Sequence, residues 1–280
     1  MLYHQLTISA PARLQSRIIN LVMQRGSLGV IEQRGRIVAY FPGSTDIVSV
    51  MNELIIIGAL FKRSSSRHHV AVEHAEVPGL DWNETWKKNF KPLPVGKGFT
   101  ILPPWEQAPR GRIPLIIDPG MAFGTGHHET TRSCLVLMEK HAGDTPGGTF
   151  LDLGTGTGLL AIAARRLGFR SVVGLDTDPL AVRAARRNRT LNKMTGIVLR
   201  EGGIDAVRGR FGMIAANLIA GALIELARDI ADRTSPSGIV IMSGILKGQD
   251  GDVVAAARKA GLTLRERLRD GKWVSLVLER

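Results

Sequence analysis

The chain has 280 residues, which is enough for one large domain or two smaller ones, each with its own core. Hydrophobic residues make up 44% of it, as expected of a globular protein. The single cysteine, Cys134, excludes an internal disulfide and a cysteine-based zinc site, and it is predicted to lie in the core of a helix. The longest apolar stretch, residues 54–61, is too short to span a bilayer, and no basic region followed by an apolar run begins the chain. We therefore expect a cytoplasmic protein that does not bind membranes.

The formal net charge is +12, from 37 basic and 25 acidic residues. Such an excess suits a partner rich in phosphate or carboxylate, such as a ribosomal particle. Much of it is concentrated in seven arginines near the middle of the chain: Arg165, Arg166, Arg170, Arg183, Arg186, Arg187 and Arg189. Solvated helix faces in an arginine-rich protein would produce the same excess, and the sequence alone favours that plainer interpretation.

Residues 1–75 follow the pattern of a small α+β domain. Hydrophobic periodicity predicts strands at 2–8, 28–33, 36–41 and 68–75, with helices at 12–25 and 45–60. The order β-α-β-β-α-β is that of a ferredoxin-like unit. Residues 76–94 are predicted to form a linker that carries a short amphipathic helix at 81–90. Trp82 and Trp86 share one face of that helix, and we expect them to pack against a domain.

Residues 95–280 alternate between strand and helix and form a predicted second domain. Strands are predicted at 149–153, 171–175, 196–201, 211–217, 238–243, 262–267 and 272–278. The last two form a hairpin around Asp270 and Gly271. A mostly parallel, Rossmann-like sheet of seven strands that finishes in an antiparallel hairpin is typical of class I methyltransferases. A dinucleotide-binding sheet would be expected to continue parallel.

The run LDLGTGTGLL, residues 151–160, predicts a tight turn between a strand and a helix. Gly154, Gly156 and Gly158 let the backbone approach a ligand closely. The next strand, SVVGLD, brings Asp176 to the same sheet edge, where a carboxylate can bind both hydroxyls of a ribose. Dinucleotide enzymes and plain structural turns also use glycine-rich turns. The frame D-x-G-x-G-x-G, which begins at Asp152, resembles the S-adenosylmethionine-dependent class I methyltransferases.

The segment DPGMAFGTGHHETT, residues 118–131, precedes a helix predicted at 132–140 and can fold as a lid over a ligand. Thr131, near the start of that helix, is predicted to contact the carboxylate of the cofactor's methionine moiety. His127, His128 and Glu129 are consecutive, so their side chains diverge and no metal site is predicted; helix capping by residues 129–131 is the plainer interpretation of this stretch. A general-base role for His128 is left open.

The segment GMIAANLIAGAL, residues 212–223, predicts a strand that ends at Asn217 and a helix that begins near Gly221. Asn217 therefore shares a sheet edge with Gly154 and Asp176. Methyltransferases that act on amines or amides often have Asp or Asn at this point, followed by Pro-Pro-aromatic, and oxygens there accept hydrogen bonds from the target nitrogen. This chain has the asparagine without the prolines and the aromatic residue. A plain helix cap at Asn217 is the alternative.

Together, DPGMAFGTGHHETT, LDLGTGTGLLAIAA with GLDTDPLAV, and NLIAGAL resemble the bacterial ribosomal protein L11 methyltransferase family, PrmA, over residues 80–250. The linker sequence DWNETWKKNF is similar too. The resemblance implies S-adenosylmethionine as methyl donor and N-methylation of lysine side chains, and of the N-terminal amine, on a large-subunit ribosomal protein, free or assembled. It also implies that residues 1–75 recognise the substrate. The chain departs from the family at residues 127–131, where Thr-His-Pro-Thr-Thr is usual.

By that resemblance, Thr131, Gly154, Gly156, Asp176 and Asn217 contact the cofactor, while Phe123, Gly124 and Gly126 shape the lid near the transferred methyl. Asn217 and His128 are the catalytic candidates. Two alternatives stay open: an RNA-directed methyltransferase, and a nicotinamide-dependent oxidoreductase that uses the same glycine turn. The first is disfavoured because the N-terminal unit lacks the aromatic strand pattern of an RNA-recognition sheet. We expect a monomer that meets RNA only incidentally.

Overall fold

A computed structural model describes residues 2–33, 36–60, 70–78, 90–118, 126, 128–145 and 148–280. The chain divides into two compact units. The first ends at Phe90, and the second begins at Lys91 and includes the C-terminal Arg280. Within the described ranges, no helix combines the length and the apolar character needed to cross a membrane.

The first unit contains a four-stranded antiparallel sheet and two helices. Its elements are β1 (Leu2–Ser9), α1 (Ala12–Gln24), β2 (Gly29–Gln33), β3 (Arg36–Pro42), α2 (Ile47–Leu60) and β4 (Ala71–Pro78). The strand order is β2-β3-β1-β4, and every neighbouring pair is antiparallel. The β-α-β-β-α-β order predicted from the sequence is confirmed. Alternate residues of β1 and β3, such as Leu6, Ile37 and Phe41, form a buried core with Ile18 and Leu54 of the two helices.

The last strand of this unit begins and ends later than predicted. It was expected at 68–75, whereas β4 runs to Pro78, three residues beyond the predicted domain limit. The following residues, 79–89, lie outside the described ranges. The predicted linker helix with Trp82 and Trp86 falls almost wholly within that gap.

The second unit contains a small three-stranded sheet and a large seven-stranded one. The small sheet consists of β5 (Leu93–Val95), β6 (Phe99–Leu102) and β7 (Ile113–Ile116). The elements of the large sheet and its helices are α3 (Glu129–His141), β8 (Thr149–Leu153), α4 (Leu159–Arg166), β9 (Ser171–Asp176), α5 (Pro179–Leu191), β10 (Ile197–Glu201), β11 (Phe211–Asn217), α6 (Ala220–Arg233), β12 (Thr234–Leu246), α7 (Asp250–Lys259), β13 (Thr263–Asp270) and β14 (Trp273–Glu279).

The large sheet confirms the predicted class I methyltransferase fold. Its strand order is β10-β9-β8-β11-β12-β14-β13. The first five strands are parallel, and β14 runs antiparallel to both β12 and β13. The chain adds β9 and β10 on one side of β8 and then β11 and β12 on the other, so the strand order reverses between β8 and β11. In open α/β sheets a ligand binds in the crevice beyond the carboxyl ends of the strands at such a point.

The central strands are buried on both faces, which explains their nearly continuous apolar sequences. On β11, Met213 and Ala215 face one core, and Ile214 and Ala216 face the other. Helices α3, α4 and α5 cover the first face, and α6 and α7 cover the second. Cys134 lies in the first core, as predicted, and burial raises the pKa of its thiol to about 12. The thiol is therefore protonated at neutral pH.

Candidate functional site

Three strands of the large sheet end side by side and bring the predicted site residues to one edge. Leu153, the last residue of β8, pairs with Leu175 of β9, and on the other side Ala216 of β11 also pairs with Leu153. Asp176 and Asn217 are the last residues of their strands. The sequence therefore located this edge correctly, because parallel strands end together at one side of a sheet.

The glycine turn after β8 has a backbone conformation that favours glycine at three alternate positions. The φ angles of Gly154, Gly156 and Gly158 are +76°, +54° and +80°. At Gly158 a Cβ would lie 3.1 Å from the backbone Cα of Ala185, so this glycine also permits close packing of α4 against α5. The turn is fixed to β9, because the Gly154 and Thr155 amides both donate to the Leu175 carbonyl, at 2.9 and 2.8 Å.

Asp176 is half-buried and holds the turn and the next helix together. Its Oδ2 accepts from the Gly156 amide at 2.8 Å, and its Oδ1 accepts from the Asp178 amide at 3.0 Å. An ionised carboxylate has about four lone-pair positions, so each oxygen retains capacity for a further donor. Two vicinal hydroxyls are the ligand groups that match this arrangement.

Asp152, which the sequence analysis treated only as the start of the glycine frame, is a buried acid beneath the turn. Its Oδ2 accepts from the Thr155 hydroxyl at 2.7 Å and from the Ala161 amide at 3.1 Å. Its Oδ1 is buried without a hydrogen-bond partner among the described residues. Burial raises the pKa of Asp152 from 3.8 to about 7, the two hydrogen bonds oppose that rise, and the negative charge of Asp176 adds to it.

Asn217 contacts Thr131 across the site. Its Nδ2 donates to the Thr131 hydroxyl oxygen at 3.2 Å. The cap of α6 is Ile219, which makes no side-chain capping bond, so the helix-cap alternative for Asn217 is wrong. With the amide donor engaged, the carboxamide Oδ1 is the group left to accept from a ligand.

The close approach of β11 and β12 at this point depends on Gly244. Its φ is +83°, and a Cβ there would lie 2.4 Å from the Leu218 carbonyl oxygen and 3.2 Å from Asn217 Oδ1. Sequence reasoning did not single out this glycine. Gly244 directly follows the strand predicted at 238–243 but lies within β12, whose pairing with β14 shifts register between Met242 and Ile245, and a glycine inside a strand often marks such a bulge or a close backbone approach.

Helix α3 begins three residues earlier than predicted because His128 is its cap. The His128 Nδ1 accepts from the Thr130 amide at 3.4 Å and lies 2.7 Å from the Thr130 hydroxyl. This corrects the expectation that residues 129–131 cap the helix; Thr130 and Thr131 are buried in its first turn. Ser243 of β12 fixes that turn by donating to the Thr130 carbonyl at 3.2 Å.

Trp273, at the start of β14, is a site residue that the sequence analysis missed. Its ring lies edge-on to that of His128, with centroids 4.9 Å apart, and Lys272 Nζ lies 5.4 Å from its centroid. The buried Trp273 Nε1 has no acceptor among the described residues. Trp273 is 145 positions from His128 along the chain, and only the pairing of β14 with β12 brings it to this edge.

Two buried asparagines, Asn188 of α5 and Asn192 directly after that helix, hold the chain that leads into the segment 118–131. Asn188 accepts from the Asp118 amide at 3.0 Å and donates to the Thr157 carbonyl of the glycine turn at 2.8 Å. Asn192 pairs with both backbone groups of Ile116, at 2.9 and 2.6 Å. The start of this segment is thereby tied to the glycine turn.

Of the three residues predicted to shape that segment, only Gly126 is described; Phe123 and Gly124 lie outside the described residues. Gly126 is buried with φ +87°, and a Cβ there would lie 2.3 Å from the Ile101 side chain and 3.1 Å from that of Leu159. Among the described residues, no three His, Cys, Asp or Glu side chains are grouped as metal ligands would be.

Comparison with known proteins agrees with this geometry. The family model described as ribosomal protein L11 methyltransferase (PrmA) matches residues 4–280. A protein of that name from Myxococcus xanthus is 37% identical over 290 residues, 99% of each chain, and one from Pelotomaculum thermopropionicum is 43% identical over 74% of this chain and 68% of its own. The crystal structure of ribosomal protein L11 methylase from Lactobacillus delbrueckii subsp. bulgaricus has a TM-score of 0.62 and 30% identity, and the match covers 68% of this chain and 98% of that one. The chain thus belongs to the ribosomal protein L11 methyltransferase family.

Proposed function

We propose that this protein transfers methyl groups from S-adenosylmethionine to lysine side chains, and to the N-terminal amine, of a large-subunit ribosomal protein. The observation that carries the proposal is the Asn217 carboxamide. Its donor is engaged by Thr131 at 3.2 Å, and its acceptor oxygen remains at the sheet edge that also holds the glycine turn and Asp176. An amine substrate needs such a neutral acceptor beside the methyl donor.

The residues at the edge fit S-adenosylmethionine. Asp176 would bind the ribose hydroxyls, and Gly154 and Gly156 would let the backbone lie against the nucleoside. The Thr131 hydroxyl, whose oxygen accepts from Asn217, has its own hydrogen to donate to the carboxylate of the methionine moiety. When bound, the cofactor supplies a methyl group already activated by its sulfonium.

The main chemical task left to the protein is to supply a neutral amine. A lysine with a pKa of about 10.4 is neutral in only about one molecule in 2,500 at pH 7, which corresponds to about 4.6 kcal/mol. Burial beside a positive charge lowers that pKa and offsets part of the cost. Asn217 would orient the amine through Oδ1 without adding a negative charge that would keep the amine protonated. Orientation of this kind brings the reacting atoms within about 3 to 3.5 Å.

For His128 we propose an orienting role in preference to that of a general base. Its Nδ1 already accepts from the Thr130 amide, so the neutral ring carries its hydrogen on Nε2 and presents no free acceptor nitrogen. The edge-on contact with Trp273 fixes the plane of the ring. His128 and Trp273 would then form one wall of the path by which the amine enters.

For the first unit we propose recognition of the ribosomal protein, and for the whole chain a cytoplasmic location and a monomeric state. Recognition by a separate unit fits the family's named substrate, because a protein acceptor needs contacts far from the methylated side chain. The cytoplasmic location is proposed because the proposed substrate is a ribosomal protein.

Single-turnover kinetics of two Asn217 variants test the proposal. Asn217→Ala removes the acceptor, so transfer should slow at every pH, by about tenfold or more given the value of one such bond. Asn217→Asp places a carboxylate beside the amine and stabilises its protonated form, so transfer should slow at pH 7 and recover towards pH 10. If both variants keep the wild-type rate and pH profile, the amine-orienting role is wrong.

A ligand comparison separates this function from the oxidoreductase alternative. S-adenosylhomocysteine at 100 times its dissociation constant should stabilise the protein by about 2.7 kcal/mol, and NAD should not. Stabilisation by NAD alone would contradict the proposed cofactor.

A further inference from the structure

The two helix layers of the large sheet differ in charge. In the layer of α3, α4 and α5, helices α4 and α5 contain six arginines and no acidic residue, and α3 contains two basic and two acidic residues, so the net charge is +6. Helices α6 and α7 contain five acidic and four basic residues, a net charge of −1. Both layers belong to the same compact unit, so a general excess of arginine in the chain does not explain the asymmetry.

The arginine-rich layer presents six exposed cations, which we call the basic face: Arg166, Arg170, Arg183, Arg186, Arg187 and Lys193. Within the part of the chain that the structure describes, Arg187 alone of the six has an ion pair, with Asp118 at 2.7 Å, and Arg186 donates to the Leu199 carbonyl at 3.2 Å. The only acidic residues from 159 to 193 are Asp176 and Asp178, which are engaged at the carboxyl edge of the sheet.

Folding does not account for this arrangement. Arg183 and Arg187 are four residues apart on α5, and like charges at that spacing destabilise a helix. On α6 the equivalent spacing holds an opposite pair, Arg228 and Asp232, at 3.2 Å. Apart from Asp118 beside Arg187, no acid among the described residues pairs with a cation of this face, and such a face is expected where a partner supplies the negative charge.

We propose that the basic face binds the phosphate backbone of RNA. Guanidinium groups match phosphate geometry through paired hydrogen bonds, and five of the six cations are arginines. Helices α4 and α5 contain no aromatic side chain on which bases could stack, so the contacts should follow the backbone and ignore sequence. The choice of RNA over another polyanion rests on the proposed function, because a ribosomal protein substrate is found next to ribosomal RNA.

Anisotropy titration of a fluorescein-labelled 24-nucleotide RNA hairpin, at 50 and 200 mM KCl, tests the inference. The test variant is Arg166→Glu with Arg183→Glu, two exposed arginines that form no ion pair with any described residue. The matched control is Arg258→Glu with Lys259→Glu on α7, also exposed and also a change of four charges. The wild-type protein should bind with a steep salt dependence, and the test variant should lose about tenfold or more in affinity and have a shallower slope. The control should lose less than about threefold.

Equal losses in the two variants would mean that only net charge matters, and would overturn the proposal. Competition by polyglutamate as effective as competition by unlabelled RNA would also overturn it, in favour of an acidic protein partner. Methyl transfer to isolated ribosomal protein is measured in parallel and should be unchanged in both variants. If the wild-type protein transfers no methyl group but binds RNA as predicted, the proposed function is wrong, whereas the proposal that the basic face binds RNA is supported.

Discussion

Replacing Asp152 by asparagine tests whether the Asp152 carboxyl group, beneath the glycine turn, is buried and has a raised pKa. The carboxamide has nearly the same shape, and its oxygen can accept from Thr155 and Ala161 as Oδ2 does now. It does not titrate, however. The two proteins should therefore differ in the pH dependence of their unfolding free energy, whatever constant offset the substitution introduces.

The sign and size of the difference follow from the pKa of Asp152, which rises from 3.8 to about 7 on folding. A group whose folded pKa is raised stabilises the fold fully below its unfolded pKa, and that contribution is lost as the pH rises through the folded pKa. Three pH units at about 1.4 kcal/mol each give about 4 kcal/mol as an upper order of magnitude. The unfolding free energy of the wild-type protein should thus fall relative to the variant between about pH 4 and pH 7, and remain level above that.

Urea denaturation of both proteins at half-unit pH steps measures this difference directly, because titrations common to both cancel. Asp144→Asn is a control of opposite sign: its hydrogen bond with His141 holds the pKa of Asp144 below its usual range, so the wild-type protein should lose stability relative to that variant as the pH falls. Parallel profiles for the wild-type protein and Asp152→Asn from pH 4 to 7 would refute the reasoning.

Three further substitutions test the site. Asp176→Ala should weaken binding of S-adenosylhomocysteine, measured by calorimetry, by at least about tenfold, since charged hydrogen bonds contribute about 1.5 to 3 kcal/mol each. The control Asp178→Ala removes only the cap of α5 and should keep the affinity. Equal losses of affinity in the two variants would mean that Asp176 does not bind the cofactor. Gly158→Ala should destabilise the fold more than Gly168→Ala, because both have φ above +75° but only Gly158 faces Ala185 within 4 Å; equal losses in urea would remove the packing argument. Asn188→Ala leaves the Asp118 amide and the Thr157 carbonyl unpaired, and should lower both the melting temperature and the affinity for the cofactor; a loss of stability without a loss of affinity would limit Asn188 to a structural role.

Two central strands were predicted from the sequence to the residue, and the parallel strands β9 and β10 differ from the prediction by one residue at one end. Strands β8 and β11 begin and end at 149–153 and 211–217 as predicted, because each is a mostly apolar, buried run. The small sheet of β5, β6 and β7 was missed, because strands of three or four residues are too short to show a period. Strand β12 begins at Thr234, four residues before the predicted start, since Ser235 to Gly238 resemble a turn and their inclusion depends on pairing of Thr234 with Phe211.

The sequence predicted those site residues whose position is determined by the order of the parallel strands. Gly154 directly follows β8, and Asp176 and Asn217 end its two parallel neighbours, β9 and β11, so their common edge follows from the fold class. The burial of Asp152 and the cap at His128 depend on packing that no local pattern encodes. Histidine is not among the residues preferred at helix caps, so the start of α3 was placed too late. The contact of Trp273 with His128 requires the antiparallel insertion of β14 between β12 and β13.

The sheet edge that holds Gly154, Asp176 and Asn217 is proposed to transfer methyl groups to amines of a ribosomal protein. Incubation with methyl-labelled S-adenosylmethionine and purified large ribosomal subunits, followed by separation of protein from RNA and mapping of labelled peptides, tests it most directly. We predict label on lysine side chains or an N-terminal amine of one large-subunit protein, lost in Asn217→Ala. Label confined to ribosomal RNA, or no label in any protein, would contradict the claim.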